Sequence, residues 1–196
     1  LYEKAKRDFS LERTISRQME IYASILRREA RPQSKRDGVL ICGAYGRGNA
    51  GDDAILEAII AEMRRLDEDI PLWVLSRSPK NTRRTYRVNA IYTFNALRFC
   101  RRMRRCRLYI NGGGSLMQDV TSHRSLWFYL FTISAAKRLG CRVMMYGCGI
   151  GPVKRPGGVE RTRRVLNSCV DAITLREPDS IEELARFGVT KPEIIL

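Results

Sequence analysis

The sequence predicts an α/β protein built on a doubly wound, Rossmann-like parallel sheet. Three observations predict it. From Gly38 onward, short apolar runs of strand length alternate with amphipathic helical segments. Glycine-rich segments follow three of those runs, at Gly43–Gly51, Gly112–Ser115 and Gly147–Pro152. A further run, Ala172–Leu175, is followed directly by Arg176-Glu177. All four features then fall on the carboxyl edge of the sheet, where such sheets bind ligands.

Residues 1 to about 31 read as an amphipathic helical arm, with Ile15, Met19, Tyr22, Ile25 and Leu26 on one face. A polar, proline-containing linker follows, so residues 1–37 form arm and linker and residues 38–196 the α/β domain. The first strand is expected at 38–43. The helix after it starts near Asp52 and carries Ile55, Leu56, Ile59, Ile60, Met63 and Leu66 on one face. Strands are expected at Pro71–Ser76, Asn89–Thr93, Arg107–Asn111, Cys141–Tyr146 and Ala172–Leu175, with basic helices at Lys80–Tyr86 and 95–106. Gly112–Ser115 and Gly147–Pro152 read as loops. Leu126–Leu139 is apolar on nearly all sides and reads as a buried helix; further helices run over 157–168 and up to Phe187. The chain begins at Leu1 and stops inside a strand-like run, Ile194–Leu196, so a longer protein is expected.

Composition narrows the class. With 196 residues, 44% hydrophobic and 29% charged, the chain has the balance of a globular protein. The longest apolar run, Leu126–Ala136, is too short to span a bilayer, and no signal peptide is evident. The six cysteines include no C-x-x-C pair and read as buried free thiols in a reducing, cytoplasmic compartment. One histidine, His123, rules out a multi-histidine metal site, and no metal or cofactor is expected. The formal net charge of +15 suits anionic partners: substrate, membrane surface or nucleic acid.

Four glycines in nine residues, at 43, 46, 48 and 51, precede a helix start whose unpaired N–H groups favour an anion. Gly46-x-Gly48-x-x-Gly51 matches the dinucleotide fingerprint in form only. Gly46 lies three residues beyond Gly43, the second strand ends in Ser76-Arg77 rather than an acidic residue, and Asp52-Asp53 would repel a pyrophosphate. An NADP site using Arg77 is the residual alternative. No G-x-x-x-x-G-K-[ST] is present, which excludes a P-loop.

Four motifs carry a resemblance. Gly43-Ala44-Tyr45-Gly46-Arg47-Gly48-Asn49-Ala50-Gly51-Asp52-Asp53-Ala54-Ile55-Leu56, Gly112-Gly113-Gly114-Ser115-Leu116-Met117-Gln118-Asp119, Gly147-Cys148-Gly149-Ile150-Gly151-Pro152 and Thr174-Leu175-Arg176-Glu177 with Ser180 resemble the polysaccharide pyruvyl transferases. The nearest type is the bacterial one acting on cell-wall sugars for S-layer anchoring. The family pattern has an aromatic residue and Thr near Arg47 and Ala50, and Asp in place of Glu177. The arm, through Ala5 to Arg13, resembles the carboxyl-terminal tail of Leloir glycosyltransferases; an ordinary amphipathic arm is the alternative.

The resemblance implies the amino-terminal half of a GT-B-like enzyme with two Rossmann-like domains. Its donor would be phosphoenolpyruvate, a co-substrate, and its product a pyruvate ketal on two hydroxyls of a hexose or N-acetylhexosamine. The acceptor would be a lipid-linked or polymeric cell-wall glycan. The family's catalytic histidine belongs to the second half, so this chain alone is expected to be inactive. Donor binding then falls to Arg176, Gly149 and Gly151, since a guanidinium fork fits carboxylate or phosphate. Acceptor binding falls to Asn49, Gly112, Gly113, Gly114, Ser115, Gln118 and Asp119. Asp52 is the candidate base; it and Asp53 are also natural first-turn helix residues, and Asp53 is assigned to capping. His123, near a helix start, reads first as structural.

The cluster Arg98–Arg107 reads as the solvated face of a helix, or as a surface for the inner face of the membrane. Nucleic acid ranks last, because no binding motif accompanies the arginines. Two other functions stay open: a nucleotide-sugar glycosyltransferase of the same architecture, and a basic α/β binding module without catalysis.

Overall fold

A computed structural model describes residues 36–120 and 122–195. The arm expected over residues 1–31 lies outside the described residues. The remaining chain runs β1 (Gly38–Cys42), α1 (Ala50–Leu66), β2 (Leu72–Ser76), α2 (Pro79–Tyr86), β3 (Asn89–Tyr92), α3 (Ala96–Met103) and β4 (Cys106–Met117). It continues through α4 (His123–Arg138), β5 (Arg142–Ile150), α5 (Pro156–Cys169), β6 (Ala172–Leu175), α6 (Asp179–Phe187) and β7 (Glu193–Ile195).

The strands form one seven-stranded sheet in the order β3-β2-β1-β4-β5-β6-β7, and every pairing is parallel. The chain winds outward from β1 to β3, then crosses back past β1 to β4 and winds outward to β7. That reversal is the mark of a doubly wound fold, and it opens a crevice at the carboxyl ends of β1 and β4.

Both faces of the central strands are covered, which is why those strands are apolar without a break. Val39 and Ile41 pack on one face with Leu56, Ile59, Ile60 and Met63 of α1. Their neighbours Leu40 and Cys42 face the other core, with Phe99 and Met103 of α3 and Leu126, Leu130 and Ile133 of α4. The same two-residue alternation recurs at Leu108, Tyr109 and Ile110 of β4. Tyr109 carries a hydroxyl into the core, where it donates to Thr132 Oγ1 at 2.8 Å.

Three sequence expectations need correction. Gly112–Ser115 is not a loop but the carboxyl half of β4: Gly112 pairs with Tyr146 and Gly114 with Cys148. The third glycine segment is likewise strand through Ile150. A glycine run reads locally as a turn, but here glycine lets a strand lie against bulky neighbours. A Cβ on Gly113 would meet Ile55 of α1 at 2.6 Å. The helix expected from Asp52 begins at Ala50 instead, capped by Asn49.

Candidate functional site

At the crevice the loop from β1 to α1 is pinned from beneath. Tyr45 is buried, and its hydroxyl donates to the Gly112 carbonyl at 2.7 Å, tying the loop to β4. Its own carbonyl accepts the Arg77 N–H at 3.1 Å, tying the loop to the end of β2. The Asn49 Oδ1 accepts the Gly51 N–H at 3.0 Å and starts α1. Asp52 and Asp53 follow in the first turn, where the helix dipole favours acidic groups.

A cavity of about 420 Å³ opens above these elements. Asn49 and Asp52 line one wall, Gly114, Ser115 and Gln118 of β4 and its exit the floor, and Arg47 and Arg176 the rim. Arg176 stands just past β6 and reaches across β5 to β4, where its Nη2 donates to Ser115 Oγ at 2.9 Å. Glu177 lies 3.6 Å from Arg176 Nε, in a pair whose side chains are both near half exposed. Gly149 makes this crossing possible: a Cβ there would stand 2.5 Å from Glu177 Oε1 and 2.8 Å from Ser115 Oγ. Gly114 does the same for Asp52, whose Oδ1 would lie 3.0 Å from a Cβ at that position.

Burial, and then the negative charge of Asp53, push the Asp52 carboxyl above its ordinary range; Arg47 and Arg176 pull it back. A half-buried carboxylate with a raised pKa beside two guanidinium groups can take a proton and can orient a hydroxyl. The arginines can hold a small anion.

The family model for polysaccharide pyruvyl transferase matches residues 49–196. The chain belongs to that family. No curated protein and no solved structure matches it. In this pyruvyl transferase the matched stretch begins at the cap of α1 and includes β4, β5 and the Arg176 turn.

Of the residues expected to act, the cavity unites Asn49, Asp52, Gly114, Ser115, Gln118 and Arg176. Gly149 lies beneath Arg176 without lining it. Gly112 is placed in the core, against Ile59 and Tyr45. Gly113 is covered by Ile55, itself a wall of the cavity. Gly151 packs on Glu183. The Asp119 carboxylate turns away to accept the Lys154 and Arg155 N–H groups at 3.0 and 3.1 Å, ahead of α5. Burial works against its ionisation, but those two bonds hold its carboxyl below the usual carboxylate range. His123 accepts the Trp127 indole N–H on Nε2 at 2.5 Å, one helical turn on, and does not line the cavity.

Three cavity residues escape a sequence reading. Tyr129 and Ser125 come from α4, whose apolar character marks it as buried core and hides that part of it lines the cavity. Arg47 is visible only as the one charge inside a glycine loop. A second compartment of about 530 Å³ shares Ala44, Arg47, Ser125 and Tyr129 with the first and adds Arg77, Arg124, Phe94 and Phe128. Among the described residues no group of three or more His, Cys, Asp and Glu is placed to hold a metal ion. Burial pushes the thiols of Cys42, Cys106 and Cys148 up to about 12, so they stay protonated.

Proposed function

We propose that this polysaccharide pyruvyl transferase takes pyruvate from phosphoenolpyruvate and sets it as a ketal on two hydroxyls of a hexose or N-acetylhexosamine in a cell-wall glycan. One observation carries the reading: Arg176 reaches across β5 to Ser115 at the switch-point crevice, with Asp52 in the same cavity. Arg176 grips the donor's carboxylate or phosphate with its guanidinium fork. Gly149 leaves the room for it.

The chemistry needs a base, an acid and an anion grip. An acceptor hydroxyl adds to C2 of the enol ester while the C3 methylene takes a proton from a general acid and becomes methyl. The hydroxyl proton passes to Asp52. The bond from C2 to the phosphate oxygen then breaks, inorganic phosphate leaves, and the second hydroxyl closes the ketal, its proton passing to the spent general acid. Asn49 and Gln118 orient the acceptor. The remaining acid–base group is assigned to the second domain that the resemblance implies.

The test is phosphate release from phosphoenolpyruvate by the two-domain protein, with and without an N-acetylhexosamine glycoside or its lipid-linked form. Acceptor-dependent release that falls by about a hundredfold or more in Arg176→Ala supports both reaction and grip. Release untouched by the substitution removes Arg176 from the proposal. No release with any acceptor, alongside binding of a nucleotide sugar, transfers the site to glycosyl transfer.

A further inference from the structure

We infer that a second cavity, between α3 and the amino ends of β2 and β3, is a binding site for a phosphate group. It lies at the end of the sheet away from the crevice: Trp73 is the second residue of β2, and Asn89 the first of β3. Its volume is about 310 Å³, and Arg83, Arg98, Arg101, Arg102 and Arg105 line it around Trp73. Among the described residues, no carboxylate lines it.

The arrangement follows from the sequence. Arg98, Arg101, Arg102 and Arg105 recur at the spacing of one helical face, so α3 and the turn after it aim them the same way. Like charges at that spacing repel, and α3 has no acidic residue in its first turn to offset them. Among the described residues, none of the four is paired with a carboxylate.

A merely solvated helix face would splay its arginines into water. Here Arg102 is laid flat on the Trp73 ring, its guanidinium carbon 3.8 Å from the ring centre. Arg83 is held by the Ala90 carbonyl at 3.4 Å. Two of the five cations are therefore fixed before any ligand arrives. The Trp73 indole N–H is buried and has no acceptor among the described residues.

The shape selects the ligand class. A space of this size takes one or two phosphate groups. Among the described residues, the one aromatic side chain lining it has a ring face occupied by Arg102, which leaves that face unavailable for stacking bases. Guanidinium forks converging without a carboxylate suit phosphate oxygens. Such a group can come from a soluble phosphate compound or from the headgroup of an anionic lipid.

The sequence has two tryptophans, Trp73 and Trp127. In the 196-residue chain carrying Trp127→Phe, Trp73 emission is titrated with inorganic pyrophosphate at fixed ionic strength. The proposal expects a saturable change that weakens by about tenfold or more in Arg98→Gln with Arg101→Gln and Arg105→Gln. Neutralising Arg65, Arg163 and Arg164 instead must leave it unchanged. Single Arg98→Gln and Arg101→Gln variants, and calorimetry on the unsubstituted chain, repeat the comparison with less change to the fold. In parallel, the same proteins are sedimented with phosphatidylcholine vesicles, with and without about one-third phosphatidylglycerol, at physiological salt.

A pyrophosphate response alone assigns a soluble phosphate. Binding to the anionic vesicles that is lost in the cavity variants, without a pyrophosphate response, assigns a lipid headgroup. No response in either arm, or an equal loss when Arg65, Arg163 and Arg164 are neutralised, overturns the proposal.

Discussion

Gly113 and Gly48 allow the close approach of α1 to β4 to be measured. Both hold nearly the same positive φ, +77° and +76°. Their surroundings are opposite. A methyl group on Gly48 meets nothing within 4 Å, whereas on Gly113 it meets Ile55 Cγ2 at 2.6 Å and Cδ1 at 2.9 Å. Alanine in the left-handed region costs about 1–2 kcal/mol at either site. Gly113→Ala adds an overpacking cost of about 1–3 kcal/mol, because Ile55 cannot retreat without moving α1. The subtraction cancels the backbone cost, leaving Gly113→Ala less stable than Gly48→Ala by about 1–3 kcal/mol. For a chain of this length that is roughly 2–12 °C in Tm. Urea unfolding of both variants reads it directly, and Ile55→Ala in the Gly113→Ala background recovers about 1 kcal/mol or more over additivity. Equal losses at the two glycines, or strict additivity with Ile55→Ala, would refute the packing of β4 under α1.

Two further outcomes follow from charge. Asp171 accepts bonds from Lys137 Nζ at 2.7 Å, Arg142 Nη1 at 2.9 Å and the Val143 N–H at 2.9 Å. Burial opposes its ionisation, but those bonds outweigh it and hold the carboxyl below 3.8. Its contribution is therefore complete above about pH 4 and is lost as pH falls through the lower folded value. Asp171→Asn costs about 1–3 kcal/mol at pH 7, discounted for the exposure of Lys137 and Arg142. Melting curves of both proteins should converge on acidification; a constant gap down to pH 2 would count against the bridge. For Asp52 the shift is upward, so in the two-domain protein that the resemblance implies the acid limb of kcat/KM lies above the ordinary aspartate range. Asp52→Asn abolishes that limb and lowers kcat by about a hundredfold or more, while a variant profile with the limb intact would remove Asp52 as the base.

Much of the frame was legible in the sequence. The unbroken apolar run Val39–Cys42 announced a strand covered on both faces, and α1 showed its buried face at Leu56, Ile59, Ile60 and Met63. Arg176 at the end of β6 needed only the strand count. What escaped was set by partners distant in sequence. Gly112–Gly114 looks like a turn until Tyr45 and Ile55, more than fifty residues earlier, are brought against it. Asp119 looks like a cavity residue until the α5 entrance, thirty-five residues later, offers it two N–H groups. Tyr129 was hidden by the apolar character of α4.

The position of Asp52 couples the two halves of the proposed reaction. An acid that is too strong cannot take a hydroxyl's proton, and one that is too weak is already protonated at neutral pH. Burial raises the Asp52 carboxyl, while Arg47 and Arg176 restrain it. A bound phosphoenolpyruvate would neutralise the same guanidinium groups and place negative charge nearby. Both changes raise Asp52 further, so it becomes a stronger base when the donor is in place. Reported by pH profiles, the acid limb of kcat, which belongs to the substrate complex, then stands at higher pH than that of kcat/KM. The donor grip and the base would be one electrostatic unit, which gives a physical reason for Arg176 and Asp52 to share a cavity instead of flanking it.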